Sequence, residues 1–205
     1  MLAARRELTF RGMATRSYIE KIVLKGLARK MCGGIPLVEF SPGINVLAGP
    51  NGSGKSTVLR VLRDRAWATR EECEIWREGE ENLEFVAFDS EQDNARFKPG
   101  RGPLQFISTA GSHGQVQLRT YGFLRDRISR GSLVMLDEPE AALDMAGIVN
   151  LVETIKARSD VQWILATHHP ALWQIPGARI IELRPGHVQY TIAQWRALVG
   201  GNFAL

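Results

Sequence analysis

An α/β layered fold with a mostly parallel central sheet is what this chain of 205 residues predicts, and three observations carry the prediction. Strand-like apolar segments alternate with amphipathic helical ones, the order that lays helices against a parallel sheet. Two of the strand segments, SLVMLD (132–137) and VQWILAT (161–167), are almost wholly apolar, as strands covered on both faces must be. The length suits one domain with a sizeable core, and 44% hydrophobic with 23% charged residues is ordinary for a globular chain.

Taken in order, YIEKIVLKGL (18–27) alternates and is rich in β-branched residues, so it reads as a strand. IPLVEF (35–40), a turn at SPG (41–43) and INVLAG (44–49) read as a hairpin. The helical spacing of apolar residues after Lys55 predicts a helix there, and NLEFVAF (82–88) is a further strand. Residues 94–111 are punctuated by Gly and Pro and read as irregular; VQLRTYGFLRDRI then opens a helix to about Ile128. After SLVMLD comes the amphipathic helix DMAGIVNLVETIKARS, then VQWILAT, and ARIIEL–RPG–HVQYTI reads as a terminal hairpin. The expected division is a basic, flexible extension over 1–17 and a single domain over 18–205. An antiparallel β subdomain stands beside the central sheet.

The net charge of +4 hides three blocks: +6 over residues 1–30, −9 over 71–93 and +6 over 96–131. Charge runs are usually solvated faces. A nucleic-acid surface is the sharper alternative, and without aromatic interleaving it is the weaker one. Cys32 and Cys73 show neither metal spacing nor a disulfide framework, which fits buried thiols in a reducing cytoplasm. No apolar run is long enough to cross a membrane, so no direct membrane insertion is expected. MLAARRELTFRG carries arginines and few acids, as targeting segments do, but lacks the apolar region of a secretory signal. The simpler expectation is that Met13 starts the folded part.

Gly49-Pro50-Asn51-Gly52-Ser53-Gly54-Lys55-Ser56 fits G-x-x-x-x-G-K-[ST] at every fixed position and lies between a strand and a helix. Glycines let the backbone curl until its N–H groups converge on phosphate oxygens, and the helix N-terminus adds a favourable dipole. Lys55 can then neutralise β/γ charge, and the Ser56 hydroxyl can ligate Mg²⁺. In LDEPEAALD, Asp137 ends an apolar strand, where a carboxylate can reach the metal region. Glu138 follows at once and points elsewhere, toward a water attacking the γ-phosphate; the alternative is an acid favoured at a helix start. STAGSHGQVQL (108–118) is a glycine-rich loop opening a helix, either an ordinary turn or an anion-meeting element.

GPNGSGKST, LDEPEAALD and ATHHP, in that order, resemble the ATPase domain of the ABC superfamily over about residues 18–190. That superfamily holds transporter subunits, SMC-like and RecF-like heads acting on DNA, and small OLD-like "AAA family ATPases". The chain is similar in style to the last group. The resemblance implies a P-loop NTPase fold of ABC type with a reduced helical subdomain. It also implies that Lys55, Ser56 and Thr57 bind the phosphates of ATP and Mg²⁺. By the same resemblance Asp137 holds Mg²⁺ through water and Glu138 polarises the attacking water. His168 contacts the γ-phosphate, with His169 a capping or packing residue before Pro170. Gln92, 37 residues beyond Lys55, matches a Q-loop glutamine that senses Mg²⁺ and water. Asp144 in AALD stands at a dimer seam. Ser112, Gly114 and Gln115 match three positions of a Leu-Ser-Gly-Gly-Gln signature that binds the ATP of a second subunit, while Gly111 and His113 depart from it. A self-partnered, ATP-dependent homodimer follows from this resemblance.

Ser112 follows Gln92 by only 20 positions, an interval where transporter subunits carry a helical subdomain and SMC-like proteins a coiled coil. Three functions stay open: an ATPase coupled to a DNA-repair or defence effector, a membrane-transporter subunit, and an ATP-gated interaction module with little hydrolysis. The short interval favours the first. For the adenine base, Phe40 and residues 28–31 are alternative contacts.

Overall fold

The computed structural model describes residues 17–63, 73–79, 85–89 and 112–198. Its elements run β1 (Tyr18–Leu24), α1 (Gly26–Met31), β2 (Leu37–Glu39), β3 (Ile44–Ala48), α2 (Lys55–Arg63), β4 (Cys73–Glu78) and β5 (Phe85–Asp89). There follow α3 (His113–Arg127), β6 (Leu133–Asp137), α4 (Met145–Ala157), β7 (Gln162–Ala166), α5 (Pro170–Trp173), β8 (Arg179–Glu182) and α6 (His187–Leu198).

Five strands form a parallel sheet in the order β5-β6-β7-β3-β8. Three others form an antiparallel sheet in the order β2-β1-β4. The central strands β3, β6 and β7 are buried on both faces, which is why they read as continuous apolar runs, while the edge strand β8 is only partly covered. Leu47, Leu133, Met135, Ile164 and Ala166 pack with α2 and the antiparallel sheet. The alternate residues Val46, Ala48, Val134, Leu136, Trp163 and Leu165 pack with Tyr121, Leu151, Ile155 and Leu172 from α3, α4 and α5. The buried Gln162 stitches the two sheets together. Its Oε1 accepts from the Ile19 N–H at 2.9 Å, and its Nε2 donates to the carbonyls of Ile19 at 2.9 Å and Ser41 at 2.8 Å.

Four segments differ from the sequence expectation. The segments read as a hairpin over 35–49 do not pair with each other: β2 joins β1, whereas β3 lies between β7 and β8. The buried Asn45 turns the chain, accepting from the Ser41 N–H at 2.7 Å and donating to the carbonyls of Ser41, Gly43 and Trp163. The terminal hairpin is instead β8 followed by α6. Gly186 has φ +78°, and the Glu182 carboxylate accepts from the Gly186 and Val188 N–H groups at 2.9 and 2.6 Å, capping a helix start. The first strand stops at Leu24, and Gly26, with φ +49°, begins α1. Strand β4 was hidden by its acidic composition and its exposed outer face.

Candidate functional site

The strand order brings the C-terminal ends of β6, β7 and β3 side by side, the edge at which parallel α/β sheets bind ligands. From β3 the chain enters the loop Gly49–Gly54 and then α2. Gly52 and Gly54 adopt φ +75° and +95°, open to glycine and strained for other residues. A Cβ on Gly54 would stand 2.6 Å from the Cys32 Cα and 2.8 Å from the Met31 carbonyl, so the end of α1 packs directly behind the loop. On Gly49 a Cβ would meet the Ser53 Oγ at 2.5 Å. That Ser53 oxygen is buried without a hydrogen-bond partner. Such an orphaned hydroxyl, beside backbone N–H groups, suits a phosphate oxygen.

Lys55 folds back over this loop, its Nζ donating to the carbonyls of Gly49 at 2.9 Å and Pro50 at 3.2 Å. Burial lowers its pKa, opposed by the charges of Glu138, Asp137 and Glu140. The ammonium is thus held by neutral carbonyls that an anion can replace. Ser56 and Thr57 follow in the first turn of α2 and are half-buried.

Asp137 ends β6, in register with Ala166 of β7, and is nearly buried. Glu138 leaves the strand with φ +48° while its N–H donates to the Ala166 carbonyl at 2.8 Å. Its Oε1 lies 3.6 Å from the His168 Nε2. Burial, and then the charge of Lys55, lower the His168 pKa, which favours the neutral imidazole. His169 instead caps α5, its Nδ1 accepting from the Ala171 N–H at 3.3 Å, as expected for a capping residue.

Lys55, Asp137, Glu138 and His168 therefore share one sheet edge. Ser112, Gly114 and Gln115 sit at the head of α3, against the far end of the turn after β6. There Ser112 and Gln115 form a reciprocal capping box: the Ser112 N–H donates to the Gln115 Oε1 at 3.0 Å, and the Gln115 N–H donates to the Ser112 Oγ at 3.4 Å. Asp144 caps α4, accepting from the Gly147 N–H at 2.8 Å. Gln92, with Gly111, lies outside the described residues. Phe40 is 4% exposed within the core and so is not a base contact, while Leu27 and Met31 of α1 are exposed.

Sequence reasoning missed Glu140 and His187. The Glu140 Oε1 accepts from the Thr167 hydroxyl at 2.6 Å and the His168 N–H at 2.9 Å, tying the turn after β6 to the segment after β7. Its signal was its position two residues beyond Glu138. His187, edge-on to Trp173 at 6.0 Å, lies within the field of Lys55; burial first and then Lys55 lower its pKa. Among the described residues no group of three or more His, Cys, Asp or Glu forms a ready-made metal cage. A cation held largely by phosphates requires no such cage.

A family model described as an AAA domain matches residues 29–116. The chain is 23% identical over 203 residues to the cytochrome c biogenesis ATP-binding export protein CcmA of Alcanivorax borkumensis, covering 87% of this chain and 92% of that protein. It is 27% identical over 183 residues to the protein of the same name from Rhodobacter capsulatus, covering 80% and 81%. Its fold is similar to the SMC head domain from Thermotoga maritima, with a TM-score of 0.50 and 15% identity, covering 79% of this chain and 94% of that one. In sequence the chain is thus similar to an AAA domain and to two ATP-binding export proteins, and in fold to an SMC head domain, in line with the order of its motifs.

Proposed function

We propose that the chain binds and hydrolyses ATP with Mg²⁺, and that two copies close around ATP and separate after hydrolysis. The observation that carries this reading is the buried Lys55 ammonium held on the Gly49 and Pro50 carbonyls, at the sheet edge that also bears Asp137, Glu138 and His168. Lys55, Ser53, Thr57 and the N–H groups of Gly49–Gly54 would hold the phosphates. Ser56, Asp137 and Gln92 would hold Mg²⁺, which supplies charge neutralisation at the phosphates when bound. Glu138 orients the attacking water and accepts its proton, and the neutral His168 donates toward the γ-phosphate. Ser112, Gly114 and Gln115 face the nucleotide of the second copy, with Asp144 at the seam. Residues 18–205 act as one ATPase domain behind the extension 1–17.

Coupling to a DNA-repair or defence-type effector is the partner reading that the short interval before Ser112 favours. A second reading, an ATP-binding subunit of a membrane transporter, is supported by relatives named as export proteins over 80–87% of the chain. Among the described residues no helix is long and apolar enough to cross a membrane. ATPase rates with and without DNA, beside co-purification with membrane proteins, separate the two. Glu138→Gln tests the chemistry: turnover falls by about 10²–10⁴-fold, the contribution typical of a positioned base. The ATP-dependent dimer persists in that variant. Normal hydrolysis by Glu138→Gln would remove Glu138 from its assigned role.

A further inference from the structure

Gly114, Gln117 and Tyr121 stand at i, i+3 and i+7 of α3, hence on one face of the helix. All three meet the turn that follows β6. A Cβ on Gly114 would lie 2.5 Å from the Ala142 carbonyl oxygen, so the helix backbone approaches that turn as closely as glycine permits. The Gln117 Nε2 donates to the Pro139 carbonyl at 3.0 Å and to the Tyr121 hydroxyl oxygen at 2.9 Å. The Tyr121 hydroxyl donates to the same Pro139 carbonyl. Both side chains are fully buried, so each bond forms in a low-dielectric setting where a lost partner is costly.

The doubly bonded carbonyl belongs to the residue immediately after Glu138. Glu138 and Ala142, with φ +48° and +60°, are the non-glycine residues in the left-handed region among those described, and they bracket the pinned turn. Such conformations persist only where the surroundings over-determine them. The turn's own bonds are few: the Ala141 N–H to the Glu138 carbonyl at 3.0 Å, and the Leu143 N–H to the Glu140 carbonyl at 3.1 Å. Beyond these and the Glu138 N–H bond to the Ala166 carbonyl at 2.8 Å, restraint comes from α3 on one side and from the Glu140 carboxylate on the other. Burial pushes the Tyr121 phenol well above its ordinary range, so it stays a donor throughout the working pH range.

We propose that Gln117 and Tyr121 are positioning residues for Glu138: from the face of α3 they pin the Pro139 carbonyl and hold the Glu138-bearing turn in its left-handed conformation. This rests on the reading of Glu138 as the group that orients water. It makes catalysis sensitive to the seating of α3, the helix that Ser112 caps.

The test uses the full chain and the variants Tyr121→Phe, Gln117→Leu and Glu138→Gln. Tyr121→Phe keeps the ring that packs edge-on to Phe88 at 6.1 Å and removes only the hydroxyl. We expect its kcat to fall about three- to tenfold, the size of one net hydrogen bond, with KM and the affinity for a fluorescent ATP analogue unchanged. Amide hydrogen exchange over residues 138–143 should accelerate in the same variant. Wild-type kcat in Tyr121→Phe, with turnover abolished in Glu138→Gln, overturns the proposal and leaves the ATPase reading standing. So does unchanged exchange over 138–143, or a kcat that falls only in step with nucleotide affinity. If Glu138→Gln keeps its turnover, the ATPase reading of that residue fails, and the exchange measurement still decides whether the clamp holds the turn. Should Tyr121→Phe fail to fold, Gln117→Leu carries the same comparison.

Discussion

The carboxylate of Glu140 and the hydroxyl of Thr167 meet at 2.6 Å across the ends of neighbouring strands β6 and β7. The same carboxylate oxygen accepts the His168 N–H at 2.9 Å, and the Thr167 Oγ1 in turn accepts the His169 N–H at 2.9 Å. One side chain of the turn carrying Glu138 thus fixes the backbone of the segment carrying His168. The 3.6 Å approach of Glu138 to His168 is therefore set by bonds made one and two residues away.

Thr167→Val tests that latch. Thr167 is fully buried, so valine fills the same space while removing the hydroxyl. The His169 N–H and one bond to Glu140 are then left unmade inside the protein, a loss of about 1–3 kcal/mol. Urea unfolding should show a lower midpoint at unchanged slope, and Thr167→Ser, which restores the hydroxyl, should recover most of it. A midpoint equal to wild type in Thr167→Val would mean that the latch contributes nothing.

The pH dependence of stability follows from the two depressed imidazoles. His168 and His187 both sit below their ordinary value of 6.5, each chiefly through burial and then the charge of Lys55. The unfolded chain therefore binds more protons than the folded one between the lowered values and 6.5, and stability rises with pH through that window. It is complete above 6.5 and declines as pH falls toward the folded-state values. His168→Asn should flatten part of the decline in nucleotide-free protein, the rest belonging to His187. A steeper acid decline in the variant would contradict the assigned direction.

The parallel sheet and the residues on its edge were legible because burial on both faces writes an unmistakable apolar run. SLVMLD and VQWILAT are such runs, and the loop Gly49–Gly54 must lie between a strand and a helix to work. The pairing of β2 was not legible, since a three-residue strand with one buried side chain looks the same in either sheet. Asn45, whose amide redirects the chain into β3, reads in sequence as an ordinary polar residue. Helix α6 has no fully buried residue, so its apolar spacing carries no core face and mimics a strand. The clamp of Gln117 and Tyr121 was invisible for another reason: it binds a backbone carbonyl, and sequence offers no partner for it.

Gly54→Ala should abolish nucleotide binding without any change to a phosphate-binding side chain. A methyl there must coexist with φ +95° and with the Cys32 Cα at 2.6 Å, neither of which a flexible side chain can relieve. The loop and the end of α1 must move apart. Binding of a fluorescent ATP analogue should be lost and thermal stability lowered together. Gly122→Ala, mid-helix with open space around its Cβ position, is the control and should be neutral or mildly stabilising. Retained binding in Gly54→Ala would show that the loop tolerates a rearrangement that its packing argues against.

Ser112 carries two separable duties, and substitutions can divide them. As an N-cap it holds the head of α3 through its bond to the Gln115 N–H, and Ser112→Ala should cost about 1 kcal/mol of stability. As a proposed contact to the ATP of a second copy, it lies exposed at a helix start where an anion is favoured. Ser112→Asp keeps a capping oxygen but sets a fixed negative charge where the incoming phosphates would lie. Its unfolding midpoint should match wild type, while the ATP-dependent dimer, read as solution mass in the Glu138→Gln background, should disappear. Ser112→Arg should block the same dimer through bulk. A dimer that persists in both variants would reduce Ser112 to a helix cap, and the sequence SHGQ to the capping box that its hydrogen bonds already describe.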